Sequence, residues 1–198
     1  MAVTITSSSK SMEDYKYTKC YCEENVWFLC KDLPETALYS ANVVFISNAE
    51  KKCPLWHQKA GERNLPVVWD YHVILVRREE KHFWVYDLDT TLPFPCEFGQ
   101  YSSLALRQED TMKSEYHRLF RIVKAAEYLQ HFASDRSHMW KDGRWLAEPP
   151  LYPPIQTQEH SNNLQLYTNM SKDIAGESYK WLGHVLTLTQ FNEYYSKE

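Results

Sequence analysis

The chain is 198 residues long, 43% hydrophobic and 15% aromatic, which is enough apolar material for one substantial core and suits a single domain. Its formal charge is −4, and Lys and Arg are scattered rather than clustered, so it carries no electrostatic footprint for nucleic acid. Met1 to Met12 contain no apolar h-region, and no apolar run anywhere is long enough to cross a bilayer, so the expectation is a soluble intracellular protein, cytoplasmic first and nuclear second.

Residues 1–17 are small and polar and read as a flexible or loosely docked tail, with the folded domain over 18–198. From Cys22, the residues Val26, Leu29, Cys30 and Leu33 fall on one face of a helix that Pro34 stops. Cys22 therefore sits at a helix start, with Glu23 and Glu24 suiting the positive end of the helix dipole. Asn42 to Ser47 is a continuous apolar run and reads as a buried strand.

Val67 to Val76 and His82 to Leu88 are rich in β-branched and aromatic residues and are separated by a charged stretch, the pattern of an antiparallel hairpin. With the loop centred between Glu79 and Glu80, His72 falls opposite Asp87 on one face of the sheet. A one-residue slip would separate them. Asp70 and Asp89 lie on the same face and rival Asp87. Further on, Leu119 to Val123 reads as a strand and Ala125 to Phe132 as a helix. Asp142 to Pro154 holds four prolines and reads as extended surface chain, covering an edge rather than lining a pocket. Trp181 to Leu188 reads as a last strand, with Thr189 capping a terminal helix through Tyr195.

Five cysteines (Cys20, Cys22, Cys30, Cys53, Cys96) in a chain without an export signal read as free thiols, metal ligands or a nucleophile rather than as a disulfide framework. A thiol at a helix start beside an imidazole can be activated, and an acid on the far ring nitrogen would fix the tautomer. Cys22, His72 and Asp87 fit these roles, although by pattern alone a buried structural thiol at Cys22 outweighs a nucleophile, and His72 could equally be a satisfied core histidine. Structural zinc on Cys20, Cys22, Cys53 and His57 is the chemical rival, weakened by the lack of any Cys-x-x-Cys pair. A peptide-binding module built on the seven tryptophans is the non-catalytic one.

Three strings, Cys20-Tyr21-Cys22-Glu23-Glu24-Asn25, Trp69-Asp70-Tyr71-His72-Val73 and Tyr86-Asp87-Leu88-Asp89-Thr90, resemble the protein N-terminal glutamine amidohydrolase family, as do Val44 to Asn48, Leu92 to Pro95 and Phe132 to Met139. The loop from Pro34 to Tyr39 is shorter than the family pattern. The resemblance implies an α+β fold with a papain-like or transglutaminase-like core, an antiparallel sheet packed with helices, and a triad of Cys22, His72 and Asp87. It implies deamidation of N-terminal glutamine in the N-degron route by a monomer that needs no metal or organic cofactor. Its partners would be proteins or peptides with a free N-terminal glutamine, with no nucleic acid or membrane. Reading the substrate α-ammonium needs a carboxylate or carbonyls, for which Glu23, Asp70, Asp89 and Asp135 are unranked candidates. A peptidase or transglutaminase would use the same triad.

Overall fold

A computed structural model describes residues 11–62, 64–171 and 177–196. Helix α1 (Cys22–Lys31) and the single turn α2 (Glu35–Leu38) lead into strands β1 (Ala41–Ser47), β2 (Cys53–Leu55), β3 (Val67–Trp69), β4 (Tyr71–Glu79) and β5 (His82–Tyr86). Next come β6 (Cys96–Glu97), α3 (Phe98–Tyr101), β7 (Leu119–Lys124) and α4 (Ala125–His131). The short pair β8 (Trp140–Lys141) and β9 (Arg144–Trp145), then α5 (Leu164–Thr168), β10 (His184–Thr187) and α6 (Leu188–Ser196), complete the order.

Six of these strands make one antiparallel sheet in the order β10-β7-β1-β4-β5-β6, packed with helices, which is the α+β arrangement expected from the sequence. Successive side chains on a strand point to opposite faces. On β1, Val43 and Phe45 join a core with α1, α4 and α5, while Val44 and Ile46 join a second core with β2, α3 and α6. The uninterrupted apolar run of β1 therefore reflects burial on both faces, each large side chain contributing about 1.5–3 kcal/mol. Among the described residues no helix is long and apolar enough to cross a membrane.

The expected Val67 to Val76 strand is broken at Asp70. β3 pairs with β2 in a separate two-stranded sheet, and only β4 enters the main sheet. The hairpin register is also corrected. Pairing runs Glu79 to His82 through Leu75 to Tyr86, so the turn centres between Glu80 and Lys81, and the ladder stops before Asp87. Extended, this register sets His72 opposite Asp89 rather than Asp87. The error is two residues, which preserves the face, and the diagonal neighbours His72 and Asp87 still meet.

Other boundaries shift for local reasons. The terminal helix is capped at Thr187, not Thr189: Thr187 Oγ1 accepts from the Gln190 N–H, and Gln190 Oε1 accepts from the Thr187 N–H, a reciprocal capping box. The last strand is only β10, because residues Glu177–Leu182 form a 3-10 helix. Of the expected tail, residues 1–10 lie outside the described residues, while the Tyr15 ring packs on Phe94 and the Tyr17 hydroxyl donates to Asp89 at 2.6 Å.

The stretch from Asp142 to Pro154 is helix-free as expected, but its first residues belong to a small hairpin, turned by Asp142 and Gly143, both at positive φ. The stretch packs on α1, with the Tyr152 ring edge-on to Phe28. Arg136 donates to the Pro150 and Pro153 carbonyls and makes a two-pronged ion pair with Glu24 of α1, Nε to Oε1 at 2.8 Å and Nη2 to Oε2 at 2.9 Å. Glu24 is fully buried. We predict that Arg136→Met, which strands that carboxylate in the core, lowers unfolding free energy in a urea titration by about 3–5 kcal/mol. A loss below ~1 kcal/mol would show that the pair does not hold α1 in place.

Candidate functional site

Cys22 owes its position to the turn before it. Cys20 adopts a left-handed φ of 68°, and the buried Asn25 side chain bonds Thr18 in both directions, accepting from its N–H and donating to its carbonyl, each at 2.8 Å. The first N–H groups of α1 have no intrahelical acceptor, so Cys22 opens a helix whose positive end faces the site. Its thiol lies 3.6 Å from Glu23 Oε2, and the Val73 backbone, just past the end of the β4–β5 ladder, favours its ionised form. Cys22 belongs to the core on the α1 face of the sheet, whereas His72 lies on the opposite face beside Ile74. The two meet at the sheet end, where both line a cavity of about 470 Å³ with Asp70, Tyr71, Asp89 and His138.

His72 and Asp87 are buried and joined through Nε2 and Oδ1 at 2.9 Å. A carboxylate only accepts, so neutral His72 carries its proton on Nε2 and presents Nδ1 as an acceptor. Nδ1 is buried and has no hydrogen-bond partner among the described residues, which leaves it as the base available in the cavity. Asp87 also accepts from the Asp89 N–H, Gln58 Nε2 and the Tyr101 hydroxyl, at 2.9, 3.0 and 2.9 Å. The Gln58 amide is oriented by its other end, where Oε1 accepts from Trp69 Nε1 at 3.2 Å, and Trp69 stacks on the His72 ring. A closed circuit of Trp69, Gln58, Asp87 and His72 thus fixes the imidazole.

Burial opposes charge on His72, but the Asp87 charge and hydrogen bond outweigh it and raise the imidazole above its ordinary value. Burial likewise raises Asp87, but His72, Gln58 and the Asp89 amide overcome it and hold the carboxyl below its ordinary value. The Cys22 thiol is pushed well above its ordinary value by burial and then by Glu23.

The remaining candidates separate by position. Asp70 lines the cavity but is exposed, its Oδ1 accepting from the Tyr71 N–H. Asp89 is buried and lines the cavity. Asp135 is exposed, accepts from Ser137 N and Asn162, and is not part of the cavity wall. Glu23 is fully buried behind Cys22 and Tyr71.

Among the described residues the only His, Cys, Asp and Glu side chains gathered at metal-ligand spacing are His72, Asp87 and Asp89, not Cys20, Cys22, Cys53 and His57. That cluster fits a metal poorly, because the Asp87 carboxylate already accepts four hydrogen bonds. All five cysteines are free. Gln58, Tyr101 and Arg136 were not found by sequence reasoning. Gln58 is fixed only by tertiary contacts, while Arg136 lies inside a matched string beside the candidate Asp135.

The chain is similar to proteins of known description over most of its length. The profile of the N-terminal glutamine amidase family matches residues 17–195. A protein N-terminal glutamine amidohydrolase of Danio rerio is 45% identical over 169 residues, 82% of this chain and 84% of the relative. The protein of that name from Homo sapiens is 41% identical over 96% of this chain and 92% of its own length, and the one from Arabidopsis thaliana is 41% identical over 98% of each.

The buried pair makes a signed prediction. The raised His72 adds stability that is complete below the imidazole's unfolded pKa and is lost as pH rises through the folded one. The lowered Asp87 adds stability that is complete above the carboxyl's unfolded pKa and is lost as pH falls through the folded one. Asp87→Asn should therefore cost most between those limits, with its deficit shrinking on both sides, and should move the His72 titration measured by NMR to lower pH. An unmoved His72 midpoint would contradict the pairing.

Proposed function

The chain belongs to the N-terminal glutamine amidase family, and from that premise we propose that it hydrolyses the side-chain amide of an N-terminal glutamine through a thioester on Cys22, releasing ammonia and leaving N-terminal glutamate. The observation that carries the residue assignment is the His72–Asp87 hydrogen bond at 2.9 Å, with unpartnered Nδ1 and the Cys22 thiol belonging to one cavity.

His72 Nδ1 takes the Cys22 proton as sulfur attacks the amide carbon, and the resulting oxyanion faces the Cys22 N–H at the start of α1. The imidazolium then gives its proton to the departing nitrogen, and ammonia leaves. Nδ1 next deprotonates a water that attacks the thioester. Collapse of the second adduct expels the thiolate, which recovers its proton from His72. The sum is amide plus water to acid plus ammonia, and no step requires a metal or organic cofactor. Asp87 keeps Nε2 protonated and stabilises the imidazolium in both halves.

A thiol at a helix start, sharing a cavity with a histidine of β4 that is bonded to an acid just past the end of β5, supports a papain-like or transglutaminase-like core, acting as a monomer on proteins and peptides with a free N-terminal glutamine. Incubation of such a peptide with the protein, followed by mass spectrometry, is expected to give the amide-to-acid mass gain and free ammonia. Cys22→Ala should slow this by more than about 10³-fold. An asparagine-first control should remain unchanged, and an N-acetylated one should react far more slowly. A shortened chain would indicate a peptidase, an amine adduct a transglutaminase, and either would overturn the proposal.

A further inference from the structure

A free N-terminus differs from a blocked one in charge, in N–H donors and in bulk, and the side chain suited to read the charge is a buried carboxylate that is not already neutralised. Glutamine's amide carbon and α-nitrogen are at most about 5 Å apart, which confines the group that senses this charge to the surroundings of Cys22 Sγ. Asp135 is not in the cavity wall, and exposed Asp70 is screened by water. Asp89 places a carboxylate oxygen within 4.8 Å of a His72 ring nitrogen, so an ammonium seated there would oppose the imidazolium that the reaction forms.

Glu23 does not line the cavity either, but unlike Asp135 and Asp70 it is buried, and it reaches the cavity wall through Tyr71. Its side chain is fully buried, Oε2 accepts from the Tyr71 hydroxyl at 2.9 Å, and the Cys22 thiol lies 3.6 Å from the same oxygen. Oε1 has no hydrogen-bond partner among the described residues. The nearby His138 Nε2, at 3.6 Å, supplies no settled cation, since burial holds that imidazole below its ordinary value. Arg136 is committed to Glu24. Tyr71 and His138 are bonded to each other at 3.2 Å and line the cavity.

We propose that Glu23, acting through Tyr71 and His138, is the carboxylate that senses the substrate's α-ammonium, and that its contact with Sγ couples this sensing to activation of the thiol. The proposal rests on the amidase reading of the site. Burial lifts the Glu23 carboxyl to about 7, and its charge in turn raises the Cys22 thiol. A substrate ammonium seated at Tyr71 and His138 opposes both effects, so a free N-terminus would improve binding and speed the chemical step together. Other charges face this cluster. Glu24 on α1 is neutralised by Arg136, and Tyr128 of α4 donates to the Glu23 carbonyl. Asp70 and Asp89 act on Sγ in the same sense as Glu23, and His72 is bonded to Asp87.

The test is Glu23→Gln, which keeps the shape and an acceptor for Tyr71. The pH dependence of iodoacetamide labelling, read by mass spectrometry on the peptide containing Cys22, should shift to lower pH than in the wild type without substrate. The preference in kcat/KM for a free over an acetylated N-terminal glutamine should fall by about 10- to 100-fold. Should this variant not fold, Glu23→Asp retracts the charge from Sγ and should move both readings the same way by less. An unchanged labelling midpoint together with an unchanged preference in a folded variant overturns the proposal, as does loss of the preference in Asp89→Asn but not in Glu23→Gln. Labelling needs no turnover, so it distinguishes failure of the Glu23 coupling from failure of the amidase reading.

Discussion

The hydrogen bond between His72 and Asp87 is the constraint around which the site is built. A carboxylate can be buried at acceptable cost only if its lone pairs are used, and Asp87 spends them on His72, the Asp89 amide, Gln58 and Tyr101. Each donor comes from a different part of the chain: β4, the turn after β5, the segment between β2 and β3, and α3. The bond therefore depends on the main sheet, the small β2–β3 sheet and the helical layer being assembled together. It also decides the chemistry, because it leaves Nδ1 as the acceptor and favours the imidazolium form.

The sheet delivers the second requirement, a thiol on the wall of the same cavity as that acceptor. Helix α1 packs on one face and His72 projects from the other, so the two can meet only where the ladder ends. The end of β5 at Tyr86 frees Asp87 to turn toward His72. The adjacent residues Glu24 and Asn25 tie the first α1 turn to the proline-rich segment, through Arg136, and to Thr18. The acidic pair at that helix start serves more than the helix dipole. Glu24 anchors the helix through Arg136, and the buried Glu23 carboxylate lies against the Cys22 thiol.

Much of this was legible because it is written in periodicity. The β1, β7 and α4 segments follow from apolar runs and helical spacing, and Cys22 at a helix start follows from the stripe Val26, Leu29 and Cys30. The face shared by His72 and Asp87 also survived, since a period-2 pattern fixes parity but not register. The register itself was hidden because the turn at Glu80 and Lys81 carries no Gly or Asn to mark its centre, although Glu80 adopts a φ of 55°. The break at Asp70 was hidden because Val67 to Val76 is strand-like throughout. Gln58, Tyr101 and the buried Arg118 and Arg121 are polar residues whose burial is compensated by long-range carbonyls and carboxylates, and local sequence carries no trace of such partners.

The central claim is that sulfur, not water, first attacks the amide carbon. The most direct measurement is acid quenching of the protein during turnover of a glutamine-first peptide, followed by intact mass and peptide mapping. The account predicts a transient adduct equal to the peptide less ammonia, borne on Cys22 and discharged by hydroxylamine. Rapid turnover with no adduct at any time, or an adduct on Cys20 instead, would contradict it.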